Sequence, residues 1–163
     1  MIEVTVADIR VDRQSNSPVV LLRERHGGRV LPIWIGPAEA NAIAMELQGV
    51  KAQRPLTHDL FKQVLSGLGG ELRRVVIAAV RENTYFAELH IHRGDEVFHV
   101  DARPSDSIAL ALRLHAPIFS AEQLFADAAI DAGEAASDRG MDSQSLRQYL
   151  EKLDPQDFGK FTP

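Results

Sequence analysis

The chain contains no cysteine, and this absence excludes disulfides and thiolate metal sites. It also contains no run of about 18 apolar residues, the length that a membrane-spanning helix needs. The first ten residues, MIEVTVADIR, carry charges where a secretion signal has its apolar centre. We therefore expect a soluble cytoplasmic protein that has no membrane partner.

The chain also lacks an excess of positive charge, because its net charge is -5. Residues 1–120 hold 14 basic and 14 acidic side chains, whereas residues 121–163 hold 4 and 9. A neutral body creates no broad positive field for a phosphate backbone. Any contact with nucleic acid would therefore depend on a local arginine cluster.

The chain does contain two similar series of apolar patterns and turn signals. In the first series, IEVTVADIRVDR, PVVLLRER and RVLPIWI predict strands. A helix follows from Pro37 to about Gln48, and a second helix, HDLFKQVLSGL, has Thr57 as its candidate N-cap. In the second series, ELRRVVIAAV, YFAELHIH and EVFHVDA predict strands, and Pro104 opens a helix. Ser120 stands at a capping-box spacing before EQLFADA.

The two series align when Pro37 is placed on Pro104. Glu39 then meets Asp106, and Glu46 meets Arg113. We predict an α+β fold of two duplicated β-β-β-α-α units, with a mixed or antiparallel sheet and helices packed on it. The alternative is that any two alanine-rich helices after a proline look alike.

The character of the chain changes near its C-terminal end. We predict one domain over residues 1–126, an acidic flexible linker over 127–142, and an amphipathic helix with a tail over 143–163. The apolar residues of that helix are Leu146, Tyr149, Leu150 and Leu153. We expect it to dock on the body or on a partner subunit.

The starts of the two proline-led helices carry the first candidate site. Asp106 and Glu39 fall in the first helical turn, where a negative charge complements the helix dipole. That role alone explains both residues. A second interpretation is that the two N-termini converge and place paired carboxylates beside Arg103. Such a pair could hold Mg²⁺ or Mn²⁺, and the arginine could bind a phosphate with two parallel hydrogen bonds.

The second predicted helix supplies further candidates. His58 and Asp59 occupy its first turn, and Arg54 lies nearby in the preceding loop. His58 could act as a general base or a metal ligand, with Asp59 orienting it or binding a cation. The alternative is an ordinary solvent-exposed first turn.

A hairpin about Arg93-Gly94 carries three histidines and a carboxylate on one face: Glu88, His90, His92 and His99. If Arg93 and Gly94 form the loop, Glu88 pairs with His99. Four apolar residues then face the core together: Leu89, Ile91, Phe98 and Val100. The polar set could bind zinc, or it could be the wet side of an ordinary hairpin.

Three blocks, LPIWIGPAEANAIAMELQGV, RPLTHDLFKQVLSGLG and DARPSDSIALALRL, resemble the bifunctional nuclease family. The resemblance covers roughly residues 1–126, and the tail resembles that of actinobacterial members. It implies an α+β domain that commonly self-associates, with DNase and RNase activity in some members. It implies no settled catalytic residues.

These observations lead to one hypothesis and one alternative. The hypothesis is a divalent-cation-dependent phosphodiesterase that acts on DNA or RNA and forms a homo-oligomer, with a dimer favoured. Its predicted catalytic residues are His58, Asp59, Arg103 and Asp106; its substrate-binding residues are Arg54, Ser105 and Arg113; its Mg²⁺ or Mn²⁺ ligands are Glu39, Asp59 and Asp106. The alternative is a non-catalytic module that uses the same pocket to bind a small anion or a partner protein.

Overall fold

The computed structural model describes residues 1–12 and 15–128 of the chain. Its strands are β1 (Ile2–Val11), β2 (Pro18–Glu24), β3 (Val30–Trp34), β4 (Glu71–Arg81), β5 (Thr84–Arg93), β6 (Glu96–Ala102) and β7 (Ile118–Ser120). Its helices are α1 (Pro37–Leu47), α2 (Thr57–Gly67), α3 (Pro104–Leu114) and α4 (Gln123–Ala128). The helix predicted over 143–163, and all but the first two residues of the predicted linker, lie outside the described residues. None of the described helices is long and apolar enough to cross a membrane.

The strands form a single seven-stranded sheet in the order β3-β2-β1-β7-β4-β5-β6. Strands β1 to β3 form one antiparallel meander and β4 to β6 form another. The short strand β7 joins them, because it pairs antiparallel with β1 and parallel with β4. The sheet is therefore mixed, and the predicted α+β fold class is confirmed. Each meander is followed by a helix that begins at a proline, while the duplication itself stays a prediction.

The helices differ greatly in how far they are buried. Helix α3 packs against β4, β5 and α1, and eight of its eleven residues are buried. Ile43 of α1 and Ile108 of α3 are fully buried and belong to the same core as Val75, Ile77 and Leu89 of the sheet. Helix α2 contacts α3 but contains no buried residue. Consequently α1 and α3 stand at the centre of the molecule, and α2 stands at its surface.

Two of the predicted helix caps are wrong. Helix α2 begins at Thr57 itself, and its N-cap position is Leu56, whose backbone N–H donates to Asp59 Oδ2 at 3.1 Å. Ser120 lies in β7, fully buried, and its hydroxyl donates to the Ala121 carbonyl at 3.3 Å. It is the last residue of a strand in the sheet, and α4 begins only at Gln123.

The register of the β5–β6 hairpin differs from the prediction by two residues. Arg93 pairs with Glu96, so Gly94 and Asp95 form the loop, and Gly94 has φ +58°, which favours glycine. An even shift keeps each side chain on its predicted face. Phe98 nevertheless does not reach the core and is 39% exposed, and Val100 is exposed as well. The reason is that β6 is the edge strand and packs mainly against β5.

Candidate functional site

The N-termini of α1 and α3 meet around one arginine. Each helix has a proline in its first turn, preceded by a residue in extended backbone, Gly36 for α1 and Arg103 for α3. Arg103 Nη1 donates to Glu39 Oε1 at 2.8 Å, and Arg103 Nε donates to Asp106 Oδ2 at 2.8 Å. The structure therefore brings together the two first-turn carboxylates and the arginine.

His58 of α2 extends this arrangement through the other oxygen of Asp106. Its Nε2 lies 3.0 Å from Asp106 Oδ1, and its side chain is largely buried. We call Glu39, Arg103, Asp106 and His58 the Arg103 cluster. Burial acts to raise the pKa of Asp106, but the hydrogen bonds from Arg103 and His58 outweigh it, and the pKa lies below its ordinary value. Asp106 therefore stays ionised at neutral pH and binds Arg103 as a carboxylate.

An open cleft of about 250 Å³ borders the Arg103 cluster. It is formed by the end of β3 with the start of α1, by the β4–β5 turn and by the start of α3. Its polar and aromatic lining residues are Trp34, Glu39, Asn83, Thr84, Tyr85, Arg103 and Ser105. The side chain of Arg103 is 66% exposed, so its guanidinium is accessible from the cleft. Ser105 is buried, and His58 is not among the lining residues.

Trp34 is a cleft residue that the sequence analysis did not single out. It is 51% exposed, which is unusual for so large an apolar side chain, and it ends its strand directly after the buried Ile33. The signal available in the sequence was its place directly before the Ile35-Gly36-Pro37 helix start. It is also the only tryptophan of the chain.

Asp59 and Arg113 form a second, more buried pair. Arg113 Nε donates to Asp59 Oδ1 at 2.7 Å, while Nη1 and Nη2 donate to the carbonyls of Ala109 and Ala42, each at 3.0 Å. Arg113 is only 3% exposed. Burial acts to raise the pKa of Asp59, but the bond from Arg113 outweighs it and the pKa is lowered. The guanidinium thus ties α1, α2 and α3 together.

The remaining predicted site residues are spread apart. Asp59 is bound by Arg113, whereas Glu39 and Asp106 are bound by Arg103, and Arg54 lies exposed in the loop between α1 and α2. In residues 1–12 and 15–128, Glu39, Asp59 and Asp106 do not form a group of three within 4.8 Å. A different group of that kind is present, and it consists of Glu88, His90 and His99.

This group, which we call the hairpin cluster, is a candidate metal-binding group on β5 and β6. His90 Nε2 lies 3.3 Å and His99 Nδ1 lies 3.8 Å from Glu88 Oε2, and the two imidazole rings stack at 4.1 Å. Arg74 Nε donates to His90 Nδ1 at 3.1 Å. Burial lowers the pKa of His90, helped by the nearby charges of His99 and Arg74. His92, which was predicted with this set, is not part of the group.

Comparison with known proteins gives a consistent result. A family model described as the bifunctional nuclease domain matches residues 20–133, a range that contains the Arg103 cluster. The chain is 43% identical over 162 residues to an uncharacterized protein of Mycobacterium tuberculosis, covering 96% of this chain and 97% of that protein. It is 31% identical over 106 residues to Bifunctional nuclease 2 of Arabidopsis thaliana, covering 63% of this chain and 32% of the plant protein. It is 24% identical over 110 residues to Bifunctional nuclease 1 of Oryza sativa subsp. indica, covering 66% and 33%.

Proposed function

Because the chain belongs to the bifunctional nuclease domain family, we propose that it cleaves phosphodiester bonds of DNA or RNA in the cleft beside Arg103. The observation that carries this proposal is the Arg103 cluster itself. It places an exposed guanidinium where two helix N-termini meet, and it connects that guanidinium to a histidine through one ionised carboxylate. The cytoplasmic location expected from the lack of cysteine remains a prediction.

Phosphate binding is the first task that the site must perform. Helix N-termini attract anions through their unpaired N–H groups and the helix dipole, and α1 and α3 both begin here. Arg103 donates one hydrogen bond from Nε to Asp106 and one from Nη1 to Glu39. A guanidinium has five N–H donors, so the remaining ones are available to a phosphate oxygen and to the charge that develops in the transition state.

Trp34 supports a nucleic acid as the substrate. An exposed indole in the same cleft as a cationic side chain is a platform on which a nucleobase can stack, whatever the identity of the base. Stacking of this kind needs an unpaired base. We therefore propose that single-stranded segments are preferred over duplexes.

Proton transfer is assigned to His58. Asp106 holds the imidazole through Oδ1, as a carboxylate does in acid–base dyads, and it stabilises the protonated ring. His58 would then take the proton from the water that attacks phosphorus. This assignment needs the imidazole edge to turn toward the cleft when substrate binds, because His58 does not line the cleft in its present position.

The predicted substrate-binding residues receive separate roles in this proposal. Ser105 lines the cleft and Arg54 is exposed, so both are retained as contacts to the phosphate backbone. Arg113 is buried and its guanidinium bonds to three helices. We therefore assign Arg113 and Asp59 to positioning α2, and with it His58, relative to α3.

Divalent-cation dependence is the remaining part of the proposal. Carboxylate oxygens suit Mg²⁺ or Mn²⁺, and Glu39 and Asp106 are the pair that would hold such an ion. The three predicted ligands do not fit a shared ion as they stand, because Asp59 is bound to Arg113 and Arg103 bridges the other two. A cation would therefore require Arg103 to leave at least one carboxylate and turn toward the phosphate.

The proposal is tested by cleavage of labelled single-stranded DNA and RNA, with Mg²⁺, with Mn²⁺ and with EDTA. We expect Arg103→Ala and His58→Ala to lower kcat/KM by about 100-fold or more. Arg73→Ala is the matched control, since Arg73 is an exposed arginine of β4 paired with Glu71, and its activity should be unchanged. Circular dichroism establishes that each variant is folded.

Two outcomes would contradict the proposal. Cleavage that persists unchanged in both variants would place the activity elsewhere. No cleavage by wild type under any condition would favour a non-catalytic module. That alternative has its own signature: quenching of Trp34 fluorescence on addition of an oligonucleotide, without turnover.

A further inference from the structure

The hairpin cluster lies on strands β5 and β6, whereas the Arg103 cluster lies at the starts of the helices. Successive side chains of a strand point to opposite faces, and Leu89 and Ile91 of β5 pack into the core shared with α3. Glu88 and His90 therefore face the side of β5 that is turned away from this core. His99 of the edge strand β6 stands directly opposite His90 in the register. The three ligand atoms lie within 4.8 Å of one another.

We propose that Glu88, His90 and His99 bind a divalent transition metal of the Zn²⁺ type, one ion per chain, with His90 Nε2, His99 Nδ1 and Glu88 Oε2 as ligands. This proposal does not depend on the proposed nuclease activity.

The donor set determines the class of metal. Two imidazole nitrogens and one carboxylate oxygen suit Zn²⁺, and Co²⁺ accepts similar ligands. Mg²⁺ requires oxygen ligands in near-octahedral geometry, so it should not compete. Three protein ligands leave a fourth tetrahedral position for water or an anion. The site therefore differs from the oxygen-only pair of Glu39 and Asp106 in the metal that it selects.

The fold brings the three ligand side chains together, and a bound ion requires one imidazole to rotate, because the in-plane lone pairs of stacked rings do not converge on one point. The two histidines are held as cross-strand partners with stacked rings, and Glu88 is two residues from His90 on the same face. A bound ion would link the edge strand β6, whose residues are all at least partly exposed, to the interior strand β5. The metal would thus fasten the outer strand of the sheet.

Arg74 is the group that opposes metal binding. Its Nε donates to His90 Nδ1, which places the imidazole proton on Nε2, the proposed ligand atom. Coordination through Nε2 requires that proton to be on Nδ1 instead, so Arg74 must turn away. The side chain is at the surface and can do so. Arg74 also adds a positive charge beside the incoming cation.

The test is calorimetric titration of the untagged full-length protein, stripped with chelator, with Zn²⁺ and with Co²⁺. We expect one ion per chain, visible d–d absorption with Co²⁺, and no displacement by excess Mg²⁺. Glu88→Gln and His99→Ala should each weaken the affinity by about tenfold or more. Arg74→Ala should tighten it.

The matched control is His92→Ala, because His92 follows on the same face of β5 but lies outside the group. It should bind as wild type does. The proposal is overturned if no ion binds at one per chain, or if His99→Ala binds as tightly as wild type. Weaker binding by Arg74→Ala would overturn the assignment of His90 Nε2.

Discussion

Arg103 immediately precedes α3 and Arg113 lies in its last turn, and both pair with carboxylates, yet their surroundings give them different roles. The side chain of Arg103 is 66% exposed, whereas that of Arg113 is 4% exposed. In the alignment of the two halves, Glu39 corresponds to Asp106, and Arg103 binds both. Arg113 corresponds to Glu46, and the two side chains lie 4.0 Å apart. Positions that correspond in the alignment therefore lie close together where α1 packs against α3. Both arginines come from the second of the two aligned series.

The ion pair of Asp59 with Arg113 makes the free energy of unfolding depend on pH. The pKa of Asp59 is lowered in the folded protein and returns to about its ordinary 3.8 on unfolding. The pair therefore contributes stability above pH 3.8, and this contribution is lost as the pH falls through the lowered pKa of the folded state. The lowered pKa of Asp106 acts in the same direction. We expect the urea midpoint to fall steeply between about pH 5 and about pH 2.

Asp59→Asn measures how much this one carboxylate contributes to the pH dependence of stability. It should reduce stability at neutral pH and flatten the acid dependence, measured by urea unfolding followed by circular dichroism across the same pH range. Asp101→Asn, which removes an exposed carboxylate of β6, is the comparison and should leave the curve unchanged. An identical acid dependence in wild type and Asp59→Asn would contradict the role given to the pair.

Helix α2 exposes an apolar stripe along its whole length. Leu60, Phe61 and Val64 are between 38% and 54% exposed, and Leu68 just beyond the helix is 67% exposed. Several large apolar side chains exposed on one helix are typical of an interaction surface. We propose that a second copy of the chain covers it, since two copies related by a two-fold axis bury both stripes at once. This is how the expected homo-oligomer would form.

Val64→Glu tests this interface. It introduces a charge that a buried contact would have to desolvate, so the oligomer should dissociate to monomers at micromolar concentration. Gln63→Glu adds the same charge on a neighbouring polar position and should have no effect. The measurement is sedimentation velocity over a range of concentrations. A monomeric wild type, or an oligomer that survives Val64→Glu, would exclude this surface.

The sequence predicts where helices and strands lie better than it predicts which of their faces are buried. Pro37, Pro104 and Gly49 mark helix ends through local backbone chemistry, and the helices begin and end where those residues indicate. The exposure of α2 and β6 could not be predicted, because apolar spacing identifies a face but not what covers it. For the same reason Phe98 was expected in the core and instead lies at an open edge.

The seven-stranded sheet depends on three residues that have no periodic signature. Strand β7 joins the two meanders, and Ile118 pairs with both Val4 and Val75. A three-residue strand whose partners lie far away in sequence cannot be recognised from local pattern. The Arg103 cluster has the same property, since Glu39 and Arg103 are 64 residues apart. The candidate carboxylates can be identified from their positions in the helices. The sequence does not show that they divide between two arginines, Arg103 and Arg113.

Ile118→Ala measures how much the whole sheet depends on this joint. Ile118 is 5% exposed, so removing its side chain should cost about 2–4 kcal/mol of unfolding free energy. Val97→Ala, on the exposed edge strand, should cost less than about 0.5 kcal/mol. Both are read from urea unfolding at neutral pH. Similar losses in the two variants would show that β7 is not a critical joint.

The late position of β7 in the chain has a consequence during synthesis. The first meander is complete once residue 34 has left the ribosome, but the side of β1 that β7 will cover stays unpaired until residue 120 follows. At ordinary translation rates that interval is on the order of ten seconds. An open strand edge of this kind is a template for pairing with other nascent chains. Glu3, which pairs with Phe119 of β7 in the finished sheet, places a charge on that segment of β1 and would then act as a gatekeeper against aggregation while the protein is still being made.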